Sequence, residues 1–180
     1  MLDEETFQFI NRLVSRVRNE RVFEFVTEEW KKNKSKYKRR WDTPARRIFG
    51  NVLREVFRQS FPSVDHKTSV YVEGEGTPPS WARPYKLFGS TGVYPDLGVL
   101  KPRKIAIELD HSERGSGLKM ALAKASFNVL GGPWECCFVL FHNENGKLSL
   151  DGEKETEIRK IYEEQFHTRI LLFSKEPQTI

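Results

Sequence analysis

Tyr94-Pro95-Asp96-Leu97-Gly98-Val99-Leu100, then Lys104-Ile105-Ala106-Ile107-Glu108-Leu109-Asp110-His111, is the stretch that decides the fold. The second run alternates. Ile105, Ile107 and Leu109 fall on one face, Ala106, Glu108 and Asp110 on the other, as a strand requires. Lys101-Pro102-Arg103 between the runs suits a tight hairpin loop. Antiparallel pairing that sets Leu100 against Lys104 puts Val99 opposite Ile105, Gly98 opposite Ala106 and Leu97 opposite Ile107. The apolar side chains then share one face, and Asp96 meets Glu108 on the other. Slipping the register by two residues would bring Asp110 to Asp96 instead. Like charges opposed at about 5 Å destabilise a sheet, so either the abundant Lys and Arg balance these acids or a hard cation does. Mg²⁺ binds through one or two carboxylates and keeps waters, and Gly98 and Ala106 leave room beside the acids.

Outward from the hairpin, residues 4–33 read as one or two helices with Phe7, Ile10, Leu13, Val14 and Val17, then Val22, Phe23, Phe25, Val26 and Trp30 as apolar positions. Lys31, Lys32, Lys34, Lys36, Lys38, Arg39 and Arg40 form a basic run without an acid. It is either a solvated face or a phosphate-contacting segment, with Tyr37 and Trp41 available to stack on bases. Thr43-Pro44 reads as a helix start, and the helix carries Ile48, Phe49, Val52, Leu53, Val56 and Phe57 with Glu55 on its flank. Pro62 ends it, and Ser63–Val72 reads as a strand. Residues 73–92 make a long Gly/Pro-rich stretch, either a binding loop presenting Arg83 and Lys86 or a flexible insertion.

Gly117–Leu130 reads as a helix closed by Gly131-Gly132-Pro133. Met120 and Phe127 lie opposite its main apolar stripe, which suits a helix buried on both sides or a homodimer interface. Trp134–Phe141 is a nearly unbroken apolar run, as a central strand requires. Asn143–Gly146 is a turn, Glu153–Gln165 a charged helix and Arg169–Ser174 a last strand. The whole predicts one α/β domain with a mixed sheet flanked by helices. It divides into a basic helical extension (1–42), a core (43–143) and a C-terminal helix and strand (144–180).

This element order, with Pro-Asp and then Glu-x-Asp on consecutive core strands, resembles the PD-(D/E)XK nuclease superfamily, the restriction-endonuclease-like fold, over residues 43–143. The resemblance implies that Asp96 and Glu108 hold Mg²⁺, with Mn²⁺ as a substitute and the Leu109 carbonyl as a further ligand. It makes Glu55 the acid of the first helix. Asp110 stands where the superfamily usually has lysine, a departure that leaves room for a lysine from the following helix. Lys124 is the preferred candidate there over Lys119, because it shares a face with Asn128 at i, i+4 spacing. The implied activity is metal-dependent DNA cleavage, restriction-type or of a repair or recombination kind. The alternative is a nucleic-acid-binding protein that keeps the fold without the chemistry.

Bulk properties agree with an acidic partner. Among 180 residues, 30 Lys and Arg outnumber 25 Asp and Glu, giving a net charge of +5 and a pI near 9.2. Duplex DNA is the expected partner, and the implied contacts are the basic run with Arg83 and Lys86. No run approaches a membrane span and the acidic start lacks a signal-peptide pattern, so a cytoplasmic protein is expected. Cys136 and Cys137 read as buried thiols. The four histidines lack zinc spacing, and His111 reads either as a surface turn residue, the preferred reading, or as a neighbour of the metal. Gly74-Glu75-Gly76 lacks the Lys-Ser/Thr of a phosphate-binding loop, and no nucleophile triad has recognisable spacing.

Overall fold

The computed structural model describes residues 3–38, 40–87, 90–112, 116–144, 146 and 148–174. A five-stranded mixed sheet runs through the middle in the order β1-β4-β5-β6-β7. The strands are β1 (Val70–Val72), β4 (Leu97–Val99), β5 (Ile105–Ser112), β6 (Cys136–Asn143) and β7 (Thr168–Ser174). β4 lies antiparallel to both its neighbours, β1 and β5, whereas β5, β6 and β7 run parallel. The hairpin register is the expected one, with Leu97 opposite Ile107, Gly98 opposite Ala106 and Val99 opposite Ile105.

Helices α1 (Glu4–Asn19), α2 (Val22–Lys32) and α3 (Asp42–Ser60) pack on one face of the sheet. α1 starts where Asp3 accepts the Thr6 N–H at 2.8 Å. It is separated from α2 by Arg21 in the left-handed conformation, φ 50°, so the N-terminal segment is two helices. Ile105, Ile107 and Leu109 face this layer, beside Phe9, Phe49, Leu53 and Phe57. The opposite face carries α5 (Ser116–Gly131) and α6 (Glu153–Gln165), with Ala106, Cys137, Val139 and Phe141 meeting Leu118, Leu122 and Ala125, and Tyr162 packing alongside. All eight residues of β6 are buried, which accounts for its unbroken apolar run: both faces are covered by helices.

Several boundaries differ from the sequence expectation. α3 begins at Asp42, and Thr43 is inside its first turn rather than capping it. Ser63–Val72 is not one strand. Asp65 accepts the Lys67 N–H at 3.0 Å and caps a short α4 (His66–Ser69), which leaves only three residues for β1. The 73–92 stretch holds a 3-10 turn at Ser80–Ala82 and the small ladder β2 (Lys86–Leu87) with β3 (Ser90–Thr91). α5 is not buried on both sides, since Met120, Phe127 and Leu130 are exposed.

Gly98 is required by a close approach. A Cβ there would overlap the ring of Trp134, which lies directly over β4. Trp134 also packs tilted beside Tyr71 and edge-to-face with Trp81. The indole therefore fills the space beside the acids that the small residues Gly98 and Ala106 leave open.

Candidate active site

The acids gather where β1 ends, β4 begins and β5 passes behind them. The Glu73 N–H donates to the Asp96 carbonyl at 2.9 Å, which extends the β1–β4 pairing by one step. Asp96 and Glu108 are almost completely buried, 2% and 1% exposed. Each of their four oxygens has a partner. Asp96 Oδ2 accepts the Leu109 N–H at 2.9 Å, and Asp96 Oδ1 accepts Arg46 Nε at 2.7 Å. Glu108 Oε2 accepts Lys124 Nζ at 2.5 Å, and Glu108 Oε1 accepts Asn128 Nδ2 at 2.6 Å. Lys124 Nζ also lies 3.8 Å from Asp96 Oδ2, so one ammonium serves both acids.

α5 delivers Lys124 and Asn128 because they are one turn apart on the face it turns to β5. Its Leu118, Ala121, Leu122 and Ala125 anchor that face on the sheet. Arg46 comes from the first turns of α3 on the other side. Its guanidinium reaches Glu73 at 2.6 Å and Asp42 at 3.3 Å as well as Asp96.

Burial dominates the electrostatics. Loss of water pushes the Glu108 carboxyl up, to about 8, with the nearby Asp96 charge adding to the effect and Lys124 opposing it. Burial also raises Asp110 and Glu73. For Lys124, burial works against the ammonium, but the Asp96 and Glu108 charges outweigh it and its affinity for the proton rises. The two shifts pull oppositely across one contact. The 2.5 Å separation is that of a charge-assisted hydrogen bond from an ammonium, so Lys124 holds its proton and Glu108 is the member that gains one readily.

Of the expected site residues, Asp96, Glu108, Lys124 and the Leu109 backbone come together. Asp110 follows on β5, half-buried on the face that carries Glu108, with Oδ1 accepting the His111 N–H at 2.7 Å. Glu55 does not join them. It pairs with Arg16 of α1 at 2.7 Å and lines a surface hollow of about 370 Å³ with Phe25, Arg47 and Asn51. Lys119 is exposed. Arg46 and Glu73 are the members missed from the sequence. Glu73 was legible in principle, as the residue one step beyond β1 in the pairing that leads to Asp96. Arg46 sits on a helix with no pattern that marks it.

Lys31, Lys32, Lys34, Lys36, Lys38, Arg40, Arg83 and Lys86 are exposed, and Arg39 lies outside the described residues. The two aromatic residues of the basic run are not free to stack on bases. Tyr37 is buried and donates its hydroxyl to Glu29 at 2.7 Å. Trp41 is buried between Phe23 and His111, with ring centroids 6.1 and 4.2 Å away. His111 is not a simple turn residue. It sits in β5, with Nδ1 2.7 Å from Glu144.

No family model, curated protein or solved structure matches this chain. The chemistry of the site therefore rests on its own geometry. Among the described residues no three His, Cys, Asp or Glu side chains converge as a ready-made metal cage. Two carboxylates and a backbone carbonyl are nonetheless a donor set that suits Mg²⁺, which keeps several waters. Asn128, fully buried and donating to Glu108, leaves its Oδ1 without a partner among the described residues, although buried acceptors are nearly always satisfied. The residues fit a hard divalent cation, provided Arg46 and Lys124 yield to it. Among the described residues, no helix is long and apolar enough to cross a membrane.

Proposed function

We propose that this protein is a Mg²⁺-dependent deoxyribonuclease, an endonuclease of restriction or repair and recombination type built on a PD-(D/E)XK core. The observation that carries the reading is the buried Asp96–Glu108 pair sharing the single ammonium of Lys124. Burying two acids side by side is costly unless they are paired, and the ammonium they share comes from α5, the helix on which the family resemblance allows the lysine absent from β5.

Asp96, Glu108 and the Leu109 carbonyl would hold the ion. When bound, Mg²⁺ supplies an activated water and neutralises charge on the phosphoryl oxygens. Lys124 is the cation positioned to meet charge that develops at the phosphate and to orient a water there. Asn128 fixes the Glu108 carboxylate through Oε1, leaving Oε2 to Lys124. The exposed lysines of 31–38 with Arg40, Arg83 and Lys86 provide sequence-independent attraction to a phosphate backbone.

A second reading has its own support. All four carboxylate oxygens are already satisfied within the protein, and Asp110 occupies the usual lysine position, which suits a nucleic-acid-binding protein without catalysis. Plasmid and oligonucleotide cleavage in Mg²⁺ separates the two, with an RNA competitor in the same assay. The endonuclease reading expects cleavage that Asp96→Ala and Glu108→Ala abolish. Cleavage indifferent to both substitutions removes the site assignment, and DNA binding without cleavage in Mg²⁺ or Mn²⁺ selects the second reading.

A further inference from the structure

The Arg46 guanidinium is held by three carboxylates at once: Asp42 one turn earlier on α3 at 3.3 Å, Glu73 at 2.6 Å and Asp96 at 2.7 Å. We propose that Arg46 is the resident counter-ion of the cation site, occupying Asp96 in the metal-free protein and withdrawing onto Glu73 and Asp42 when a divalent cation takes Asp96. The proposal rests on the reading of Asp96 and Glu108 as a cation site, and it adds Arg46 and Glu73 to that site.

Charge is the first argument. Asp96, Glu108, Glu73 and Asp110 all influence one another or Lys124 electrostatically. With Asp42, which also pairs with Arg46, five carboxylates face two cations, Arg46 and Lys124, among the described residues. The cluster therefore carries an excess of negative charge when its acids are ionised, and Glu108 and Asp96 are too deeply buried for solvent counter-ions to offset it.

Attachment is the second argument. Lys124 and Asn128 bind Glu108, whereas Arg46 is, among the described residues, the side chain that donates to Asp96 Oδ1 within hydrogen-bond distance. Arg46 can leave Asp96 and keep two of its three partners, because one is on its own helix and another is on the neighbouring strand end. Its backbone is fixed by α3, whose Ala45 and Phe49 are in the core, so the exchange needs only a side-chain rotation. A guanidinium with five donors suits this shared holding, and a lysine would not reproduce it. On the Glu108 side of the cluster, buried Asn128 has an Oδ1 with no partner among the described residues, an unsatisfied acceptor in the same polar network.

The test uses the full chain and Mg²⁺ alone, by calorimetric titration at fixed ionic strength. Arg46→Gln removes the competing charge and is expected to bind Mg²⁺ about tenfold more tightly than wild type, with Arg46→Lys between the two and Asp96→Asn binding far more weakly. An Arg46→Gln affinity equal to or below that of wild type overturns the proposal, since a merely structural Arg46 would support the acids rather than compete at them. Wild-type protein gives an independent readout that no folding defect can obscure. The Arg46 Nε–H resonance should exchange with water at least tenfold faster when Mg²⁺ saturates, and an unchanged rate overturns the proposal. If neither wild type nor Arg46→Gln binds Mg²⁺, the cation site itself is lost, and with it the cleavage reading. If wild type binds Mg²⁺ and Arg46→Gln binds no tighter, only the role of Arg46 is lost.

Discussion

Glu108→Gln compared with wild type across pH tests how deeply the central acid is committed to the fold. The carboxyl is raised in the folded protein from its ordinary 4.5 to about 8, chiefly by burial. A group whose folded pKa is raised stabilises the fold fully below its unfolded value and loses that contribution as pH climbs through the folded value. The metal-free protein should therefore lose stability between pH 5 and 8. A single proton sets a limit of about 1.4 kcal/mol per pH unit, and Glu73 and Asp110, also raised by burial, act in the same direction. For a chain of this size each kcal/mol corresponds to about 3 °C in Tm. Urea melts in chelator at pH 5, 6, 7 and 8 measure the effect. Glutamine has no proton to lose, so the wild-type minus Glu108→Gln difference isolates Glu108 from every other titrating group. That difference should shift against wild type by at least about 2 kcal/mol across the range. A difference that stays flat within about 0.5 kcal/mol would mean that Lys124 compensates the buried charge completely at all pH values, and the electrostatic account of the site would be wrong.

Three further outcomes follow from the geometry. Gly98→Ala should destabilise the protein by about 2 kcal/mol through overpacking against Trp134, and Trp134→Phe in the same chain should recover part of it; thermal melts that show no coupling between the two would contradict the close approach. Lys124→Met should abolish cleavage while leaving DNA binding within about twofold, because one partly exposed cation contributes little to a backbone interface; retained cleavage would remove Lys124 from the chemistry. Replacing Lys34 and Lys36 together by alanine should lower the salt dependence of DNA binding by nearly two in the logarithmic slope, and an unaltered slope would take the basic run out of the interface.

The hairpin was the most legible part of the molecule. Alternation on β5, with the small Gly98 and Ala106 opposite each other, admits a register that satisfies both faces, and the structure has it. Lys124 was also within reach, because helical spacing ties it to Asn128. Glu55 shows where local reading stops. Its place on the flank of α3 is clear from periodicity, but its partner Arg16 is 39 residues away on α1, and no local pattern reports which flank a second helix will cover. Tyr37 and Trp41 failed for the same reason. An aromatic residue among lysines looks available until Glu29, Phe23 and His111 are brought against it. The strand expected at Ser63–Val72 lost its first half to the Asp65 cap, a side-chain bond that competes with extended structure.

The cluster draws on segments far apart in the chain, Arg46 being fifty residues from Asp96 and Lys124 sixteen beyond Glu108. Bringing the acids together before either cation arrives would be uphill, so the hairpin that carries Asp96 and Glu108 gains its full stability only after α3 and α5 have docked. A partly synthesised or partly unfolded chain lacks one of the two charges and has no assembled site. The centre is thus assembled only in the finished fold, because its acids and their counter-ions come from segments that meet only there.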